Sequence, residues 1–206
     1  MALPFPVFGL TGGAACGKST VAQLFARQGA RIVDADHIGH ELLCRPHPAY
    51  EEVLQAFGNE ILGNDGEIDR KRLGQVVFSD AGKREKLNAI LHPKIIARQE
   101  QLAAQYYQEN PGAIILVEAA LIYEAGVEGR FKKILAVWCR PEQQMERLMA
   151  KAGISRAEAE ARIAAQMPAE EKRRRADFVI DSSGTLESTR AQVAVIYPQL
   201  EKLAGR

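Results

Sequence analysis

A short stretch near the amino terminus has the residue types needed to hold a phosphate group. Gly12, Gly17, Lys18 and Ser19 match the spacing G-x-x-x-x-G-K-[ST] without a gap. Glycines let the backbone curl so that several N–H groups point at phosphate oxygens, and the following helix adds its positive end. A lysine at this position reaches the β- and γ-phosphates, and the serine hydroxyl coordinates the bridging Mg²⁺. The pattern therefore predicts a nucleotide-binding P-loop.

This motif requires a strand before it and a helix after it, and the flanking sequence supplies both. The apolar run Phe5–Leu10 is short enough for a buried strand. Downstream, Val21, Leu24 and Phe25 recur with helical spacing. Gly29 then ends the helical pattern. These flanks argue against the alternative, a chance match in a glycine-containing turn.

Acidic residues follow two further predicted strands. Residues 30–33 lead into Asp34 and Asp36, and the apolar strand 113–118 ends in Glu118. Ligands of open α/β sheets bind at the carboxyl ends of strands, so all three acids are candidates for the phosphate site. Asp34 and Asp36 point to the same side unless the chain turns at once, and an aspartate before a helix is also a common N-cap. Glu118 either holds Mg²⁺, as in a Walker B strand, or merely caps the next segment of the chain.

From Ile38 to about Gln108 the pattern is mostly helical, which is too long for a simple crossover. It predicts a helix over 49–57, a turn at 64–66 and a helix capped by Asp69. A further helix starts near Ser79 and Asp80, breaks at His92-Pro93 and resumes over 94–107. We interpret the region as a helical insertion that forms one wall of an acceptor site. His92 is either catalytic or a structural hydrogen-bonding residue, and Arg70 and Arg72 either bind a phosphate or are solvated.

Basic residues follow the predicted strand 133–139. The helix after Pro141 carries Arg147 and Lys151, and the capping box Ser155-x-x-Glu158 starts another helix that carries Arg162. With the run 172–175, these residues predict a mobile cationic lid that excludes water and stabilises the transferring phosphoryl group. The alternative for most of the run 172–175 is a solvated helix face.

Composition limits the other functions open to the chain. It has 206 residues and a net charge of +1, which argues against bulk electrostatic attraction to nucleic acid or to a membrane surface. It contains no apolar run long enough to span a bilayer, and its start does not resemble a signal peptide. The three cysteines form no CxxC pair, which suits a reducing compartment. We therefore expect a cytoplasmic protein. We also expect a monomer or a weak homo-oligomer, a state that composition does not determine.

The order of elements predicts an α/β fold of the P-loop NTPase type, a doubly wound parallel sheet of five strands. We expect a single domain over 1–206. Its nucleotide-binding core comprises 1–36, 112–140 and 176–206. The helical substrate-binding insertion comprises 37–111, and the lid comprises 141–175.

The chain resembles the dephospho-coenzyme A kinase family in segments that follow one another in that family's order. They are G-L-T-G-G-x-x-x-G-K-S at the P-loop, V-D-A-D ending at Asp36, His92-Pro93, A-R-I-x-x-Q from Ala161, Lys172, and A-D-x-V-I-D from Ala176. A P-loop alone is generic, whereas its combination with V-D-A-D and R-I-x-x-Q is specific. The resemblance implies transfer of the ATP γ-phosphoryl group to the ribose 3′-hydroxyl of dephospho-coenzyme A.

The resemblance also implies residue roles. Asp36 is expected to take the hydroxyl proton, and Lys18 and Arg147 are expected to act on the transferring group. ATP is expected to contact Gly12, Gly13, Ala14, Ala15, Cys16, Gly17, Lys18, Ser19, Thr20, Arg147 and Ser182. Dephospho-coenzyme A is expected to contact Asp34, Asp36, Arg70, His92, Lys94 and Arg162. The Mg²⁺ that accompanies ATP is expected to be held by Ser19 and Glu118.

Four positions depart from the family pattern. They are Cys16 in place of the usual serine, Glu118-Ala119-Ala120-Leu121-Ile122 in place of D-x-P-L-L, Lys151 in place of a second lid arginine, and Ser182 in place of asparagine. Backbone N–H groups form the phosphate cradle, so the first two changes leave it intact. Lys151 loses the bidentate fork of an arginine, and Ser182 alters contacts on the adenine side. Cys16 is either a serine-sized filler or, beside Lys18 at a helix N-terminus, a thiol of lowered pKa that oxidation would modify.

Two other classes share part of this pattern. A nucleoside or nucleotide kinase has the same P-loop, sheet and lid but a different acceptor wall. A regulatory GTPase has a D-x-x-G element, which Asp36–Gly39 matches, but Asp181–Gly184 matches it equally well. The guanine-reading motif [NT]-K-x-D is absent from the sequence, which argues against a GTPase.

Overall fold

The described chain alternates strands and helices from its amino terminus. The structure is a computed structural model that describes residues 3–78 and 80–205. The strands are Phe8–Gly12 (β1), Arg31–Asp34 (β2), Ile115–Glu118 (β3), Lys133–Trp138 (β4) and Phe178–Asp181 (β5). The helices are Lys18–Arg27 (α1), Ala35–Leu42 (α2), Pro48–Phe57 (α3), Arg70–Phe78 (α4), Ala81–Glu109 (α5), Pro141–Ala152 (α6), Arg156–Ala164 (α7), Ala169–Arg175 (α8) and Leu186–Ala204 (α9). Among these described helices, none combines the length and apolar composition needed to cross a membrane.

In the described residues the strands form one five-stranded sheet with the order β2-β3-β1-β4-β5. The central strand β1 runs parallel to both neighbours, with Leu10 opposite Glu118 of β3 and Leu135 of β4. Parallel strands end at the same edge, so the segments that follow β1, β3, β4 and β5 meet there. The predicted parallel sheet with a P-loop after its first strand is confirmed.

Each face of the sheet has its own apolar cluster, because successive strand residues point to opposite sides. On one face, Phe8 and Leu10 of β1 pack with Phe25 of α1 and with residues of α9. On the other face, Ile134 of β4 packs with Ile122 from the segment after β3. Full burial of such a side chain contributes about 1.5–3 kcal/mol. Coverage of both faces explains why the strands appear in the sequence as continuous apolar runs.

The chain divides into two compact units. One comprises the residues up to Val33 together with those from Ala103 onward, and the other runs from Asp34 to Leu102. The second unit is helical, and a short antiparallel bridge joins Leu62 to Ile68 around the predicted turn. Its buried apolar residues include Ile38, Tyr50, Val53, Ile61, Leu73 and Leu91.

The helix α5 differs from the sequence-based expectation. The predicted break at His92-Pro93 is wrong, because the helix continues from Ala81 to Glu109 with Pro93 inside it. An interior proline removes one N–H donor and costs about 3 kcal/mol, which the packing of buried residues such as Leu91 offsets. The helix is capped by Asp80, whose Oδ1 accepts the Lys83 N–H at 3.1 Å. The predicted starting residue Ser79 lies outside the described residues.

Some strand boundaries also differ from the prediction. Strand β1 begins at Phe8 rather than Phe5 and extends to Gly12. Pro6 has no N–H to donate to a sheet, which accounts for the later start. Strand β3 begins at Ile115, two residues later than predicted, and still ends at Glu118. The carboxyl ends, which carry the candidate site residues, are therefore predicted better than the starts.

Candidate active site

The P-loop leaves β1 in a tight curl that two glycines permit. Gly12 has a φ of 154°, and a Cβ atom there would lie 2.3 Å from the Val137 carbonyl oxygen. Gly17 has a φ of 86°, a left-handed conformation that residues with a side chain rarely adopt. The backbone of the motif therefore requires glycine at both positions.

The end of the P-loop is the start of α1, which begins at Lys18. Gly17 is the N-cap residue of this helix, and no described side chain accepts a hydrogen bond from the first N–H groups. The first turn of the helix contains no acidic residue. The first N–H groups of a helix have no partner within the helix, and the helix dipole favours an anion there. Ser19 and Thr20 are exposed at this end. The arrangement is suited to a phosphate group.

Ser19 and Glu118, the two predicted metal ligands, lie together. The Ser19 Oγ donates to Glu118 Oε1 at 2.8 Å, and Glu118 is only 6% exposed. A hydroxyl and a carboxylate are the hard oxygen donors that Mg²⁺ prefers, and Mg²⁺ usually takes one or two protein ligands besides water and phosphate. The described residues contain no group of three or more His, Cys, Asp or Glu that could hold a metal ion by themselves. The pair therefore fits Mg²⁺ bound together with a nucleotide.

Side chains from α6 and from the segment after β5 hold the P-loop backbone. Gln144 Nε2 donates to the Ala14 carbonyl at 3.1 Å, and Ser182 Oγ donates to the Cys16 carbonyl at 2.8 Å. The Arg147 guanidinium donates to the Ser182 carbonyl at 3.0 Å and to its hydroxyl at 3.3 Å. Two P-loop carbonyls are therefore engaged in hydrogen bonds within the protein. Sequence reasoning missed Gln144, since only the folded chain brings it to the P-loop.

A cavity of about 650 Å³ opens beside the P-loop. Lys18, Arg147 and Lys151 supply positive charge to its wall, and Leu186 contributes apolar surface. Its volume lies within the roughly 300–1,000 Å³ typical of small-molecule sites. Cationic and apolar walls together suit a nucleotide, which has charged phosphates and a flat base.

Cys16 faces another cysteine, which sequence reasoning did not anticipate. Cys16 and Cys139 are both buried, and their Sγ atoms are 3.2 Å apart. The hydrogen bond between them and burial raise the pKa of the Cys16 thiol, and the same bond lowers the pKa of Cys139 to about 7. Lys18 acts to lower the Cys16 pKa, but the Cys139 contact and burial outweigh it, which favours the filler alternative over the lowered-pKa alternative.

Thiol labelling of the native protein is expected to distinguish the cysteines. Cys44 is exposed and should react first with a maleimide, whereas Cys16 and Cys139 should react only after unfolding. Mass spectrometry of the labelled protein measures this, and Cys44→Ser is the control that should remove the fast reaction. Fast labelling of Cys16 that ATP prevents would instead support the reactive-thiolate hypothesis.

The basic run 172–175 is divided between buried and exposed side chains. Arg173 lies over the ring of Trp138 at 4.5 Å, Arg174 pairs with Glu171, and all three arginines are exposed. Lys172 is fully buried. The solvated-face alternative, which covered most of the run, therefore fits the three exposed arginines, and Lys172 is the exception.

The two aspartates after β2 have different surroundings. Asp34 is the N-cap of α2, and its Oδ1 accepts the His37 N–H at 2.9 Å. Asp36 is exposed in the first turn of α2, and no described residue forms a hydrogen bond or ion pair with its carboxylate. The capping alternative is confirmed for Asp34, whereas the Asp36 carboxylate is available to accept a proton.

His40 is a further residue of this region that the sequence did not point to. Burial lowers its pKa, the charge of Arg70 lowers it further, and Asp36 and Asp34 act in the opposite direction. Arg70 begins α4, so its charge acts on the same histidine as the charges of the two aspartates. Residues four apart in a helix are neighbours on its surface, so the spacing of Asp36 and His40 could have indicated that the two side chains interact.

The remaining predicted substrate residues have varied environments. Lys94 Nζ pairs with Glu52 at 2.7 Å, and His92 is half-buried within α5. Arg162 is exposed on α7, and it is not one of the described residues that line the 650 Å³ cavity. The structure therefore brings Lys18, Ser19, Arg147 and Ser182 to one cavity and leaves Arg162 outside it.

Comparison with known proteins gives consistent matches. A family model described as "Dephospho-CoA kinase" matches residues 6–188. A curated dephospho-CoA kinase from Carboxydothermus hydrogenoformans is 44% identical over 194 residues, 94% of each chain. A crystal structure of a Thermus thermophilus protein has a TM-score of 0.77 and 35% identity, and the match covers 94% of this chain and 98% of that one. A dephospho-CoA kinase structure from Campylobacter jejuni has a TM-score of 0.70 and 28% identity, with 95% and 97% covered.

Proposed function

The chain belongs to the dephospho-CoA kinase family, and from this membership we propose how its residues carry out the reaction. The enzyme transfers the γ-phosphoryl group of ATP to the ribose 3′-hydroxyl of dephospho-CoA and so completes coenzyme A biosynthesis. The observation that carries the residue assignment is the P-loop whose Ser19 contacts Glu118 at 2.8 Å. Phosphoryl transfer depends mainly on positioning and on electrostatic stabilisation, and the residues of this site act in these two ways.

The nucleotide lies along the P-loop and in the adjoining cavity. Residues 12–20 surround the β- and γ-phosphates with backbone N–H groups, and Lys18 adds a mobile positive charge. The cavity lined by Arg147 and Ser182 accommodates the adenosine end. Ser182 acts chiefly by holding the Cys16 carbonyl, since its residue is only 8% exposed.

Ser19 and Glu118 hold Mg²⁺ with the nucleotide. When bound, the ion neutralises charge on the β- and γ-phosphate oxygens. The hydrogen bond from Ser19 to Glu118 places these two oxygen ligands side by side. Glu118 is held at the end of β3 by the pairing of that strand with β1.

Asp36 accepts the proton of the ribose hydroxyl, and the helical segment 37–111 binds the rest of dephospho-CoA. The support for Asp36 is its place in the V-D-A-D segment and its exposed carboxylate. Arg70, His92, Lys94 and Arg162 bind the acceptor. For Lys94 this role requires exchange of its Glu52 partner for a substrate anion.

The segment 141–175 is the lid that closes over the triphosphate. Phosphate charge attracts Arg147 and Lys151, which line the cavity beside the P-loop. The buried Lys172 anchors α8 and Gln144 ties α6 to the P-loop, so the closing part is α7. Closure excludes water from the transferring group.

The enzyme works in the cytoplasm as a monomer or weak homo-oligomer and does not bind nucleic acid or membranes. The support is physical. A net charge of +1 offers no bulk attraction to a polyanion, and all three cysteines are free thiols, which suits a reducing compartment.

A panel of acceptors tests the proposal. With Mg-ATP, dephospho-CoA is expected to be phosphorylated, whereas adenosine, AMP and shikimate are not. Mass spectrometry of the product locates the new phosphate, and omission of Mg²⁺ with added chelator should stop the reaction. Preferential phosphorylation of a nucleoside or nucleotide would refute the acceptor assignment and favour the nucleotide-kinase alternative.

A further inference from the structure

Lys172 is the least exposed charged side chain near the P-loop. It is fully buried, and its Nζ lies 2.6 Å from the Ala120 carbonyl oxygen and 2.8 Å from Glu124 Oε1. A buried ammonium is costly unless it is paired, and replacing a buried ion pair by apolar residues is often neutral or stabilising. Stability alone therefore gives little reason for a charge at this position.

The two partners of Lys172 belong to the segment after β3. The Ala120 carbonyl also accepts from the Thr11 hydroxyl at 3.1 Å, and Thr11 directly precedes Gly12 of the P-loop. Glu124 also accepts the Met167 N–H at 2.9 Å, which ties the linker between α7 and α8 to the same segment. One ammonium therefore joins α8, the linker before it and the segment 119–124.

This segment begins immediately after Glu118, which hydrogen-bonds Ser19. A shift at Ala120 would move both Glu118, two residues away, and Thr11, next to the P-loop. Glu124 offsets most of the Lys172 charge, so Lys172 acts by holding this segment rather than by adding positive charge at the phosphates.

We propose that Lys172 is a positioning residue for phosphoryl transfer: its buried ammonium fixes the segment after β3 and, through it, the Glu118–Ser19 pair and the P-loop. The inference rests on the proposed roles of Ser19 and Glu118. It assigns a function to a residue that does not touch either substrate. It also explains why α8, the last helix of the lid predicted over 141–175, is held to the segment after β3.

The test separates positioning from folding by removing the charge in two ways. Lys172→Met leaves Glu124 without its cation and is expected to lower both the unfolding temperature and kcat. Lys172→Met/Glu124→Gln removes both charges and keeps an oxygen for the Met167 N–H. The double variant should therefore recover most of the unfolding temperature, while kcat stays roughly 10- to 100-fold below wild type. Affinity for ATP, measured by calorimetry, should change far less than kcat.

A matched control is Arg190→Met, which breaks the exposed Arg190–Glu187 pair of α9 and should change neither property. If the double variant recovers kcat together with the unfolding temperature, Lys172 is only structural and the proposal is overturned. Normal kcat in Lys172→Met would overturn it as well. Wild-type enzyme that fails to phosphorylate dephospho-CoA would refute the proposed function instead, so the two failures are distinguishable.

Discussion

Asp36→Asn is expected to lower kcat roughly 10²- to 10⁴-fold while the KM for ATP changes little. An alcohol is a poor nucleophile, and its proton must pass to a positioned acceptor as bonding to phosphorus develops. Asparagine preserves the shape of the side chain and removes the carboxylate that accepts this proton. Steady-state kinetics with dephospho-CoA and Mg-ATP measure both constants.

Asp34→Asn is the matched control for this variant. Asp34 caps α2 through its Oδ1, and asparagine is an equally good N-cap, so the helix should remain intact. We expect kcat of this variant to stay within about threefold of wild type. If Asp34→Asn loses activity while Asp36→Asn retains it, the two aspartates exchange roles.

Arg147→Ala is expected to lower kcat roughly 10²- to 10³-fold, comparable to the loss of one preorganised donor at a transition state. Arg147 lines the cavity beside Lys18, and its guanidinium can stabilise charge that develops on the transferring group. Nucleotide affinity, measured by calorimetry with a non-hydrolysable ATP analogue, should weaken far less.

Ser182→Ala tests whether Arg147 acts through the protein rather than on the phosphates. It removes the hydroxyl that contacts Arg147 and the Cys16 carbonyl, but leaves the arginine charge in place. A loss in Ser182→Ala that adding Arg147→Ala does not deepen would show that the arginine mainly holds the P-loop. Normal turnover of Arg147→Ala would contradict its assignment to the lid chemistry.

Local sequence patterns predicted the elements of the fold well and failed where tertiary packing decides. The strand ending at Glu118 and the helix beginning at Lys18 follow from apolar spacing and from the glycines of the P-loop. The helix through Pro93 does not, because the cost of one missing hydrogen bond is offset by packing that the local sequence does not reveal.

The candidate site divides in the same way. Lys18, Ser19 and Glu118 were predictable, because a motif and the carboxyl end of a strand specify their places. Gln144 and Lys172 were not, because their partners lie far away in the sequence. A run of four basic residues on a short helix gives no sign of which one faces the sheet.

Because Arg173 stacks on Trp138, the tryptophan is an intrinsic fluorescence probe of this region. Trp138 is its single tryptophan, and the Trp138 carbonyl accepts hydrogen bonds from both the backbone N–H and the hydroxyl of Ser182, a residue of the cavity wall. Indole emission responds to a nearby cation and to changes in polarity. Nucleotide arrival and movement of the basic helices can therefore be followed as a fluorescence signal, in real time and without a dye attached.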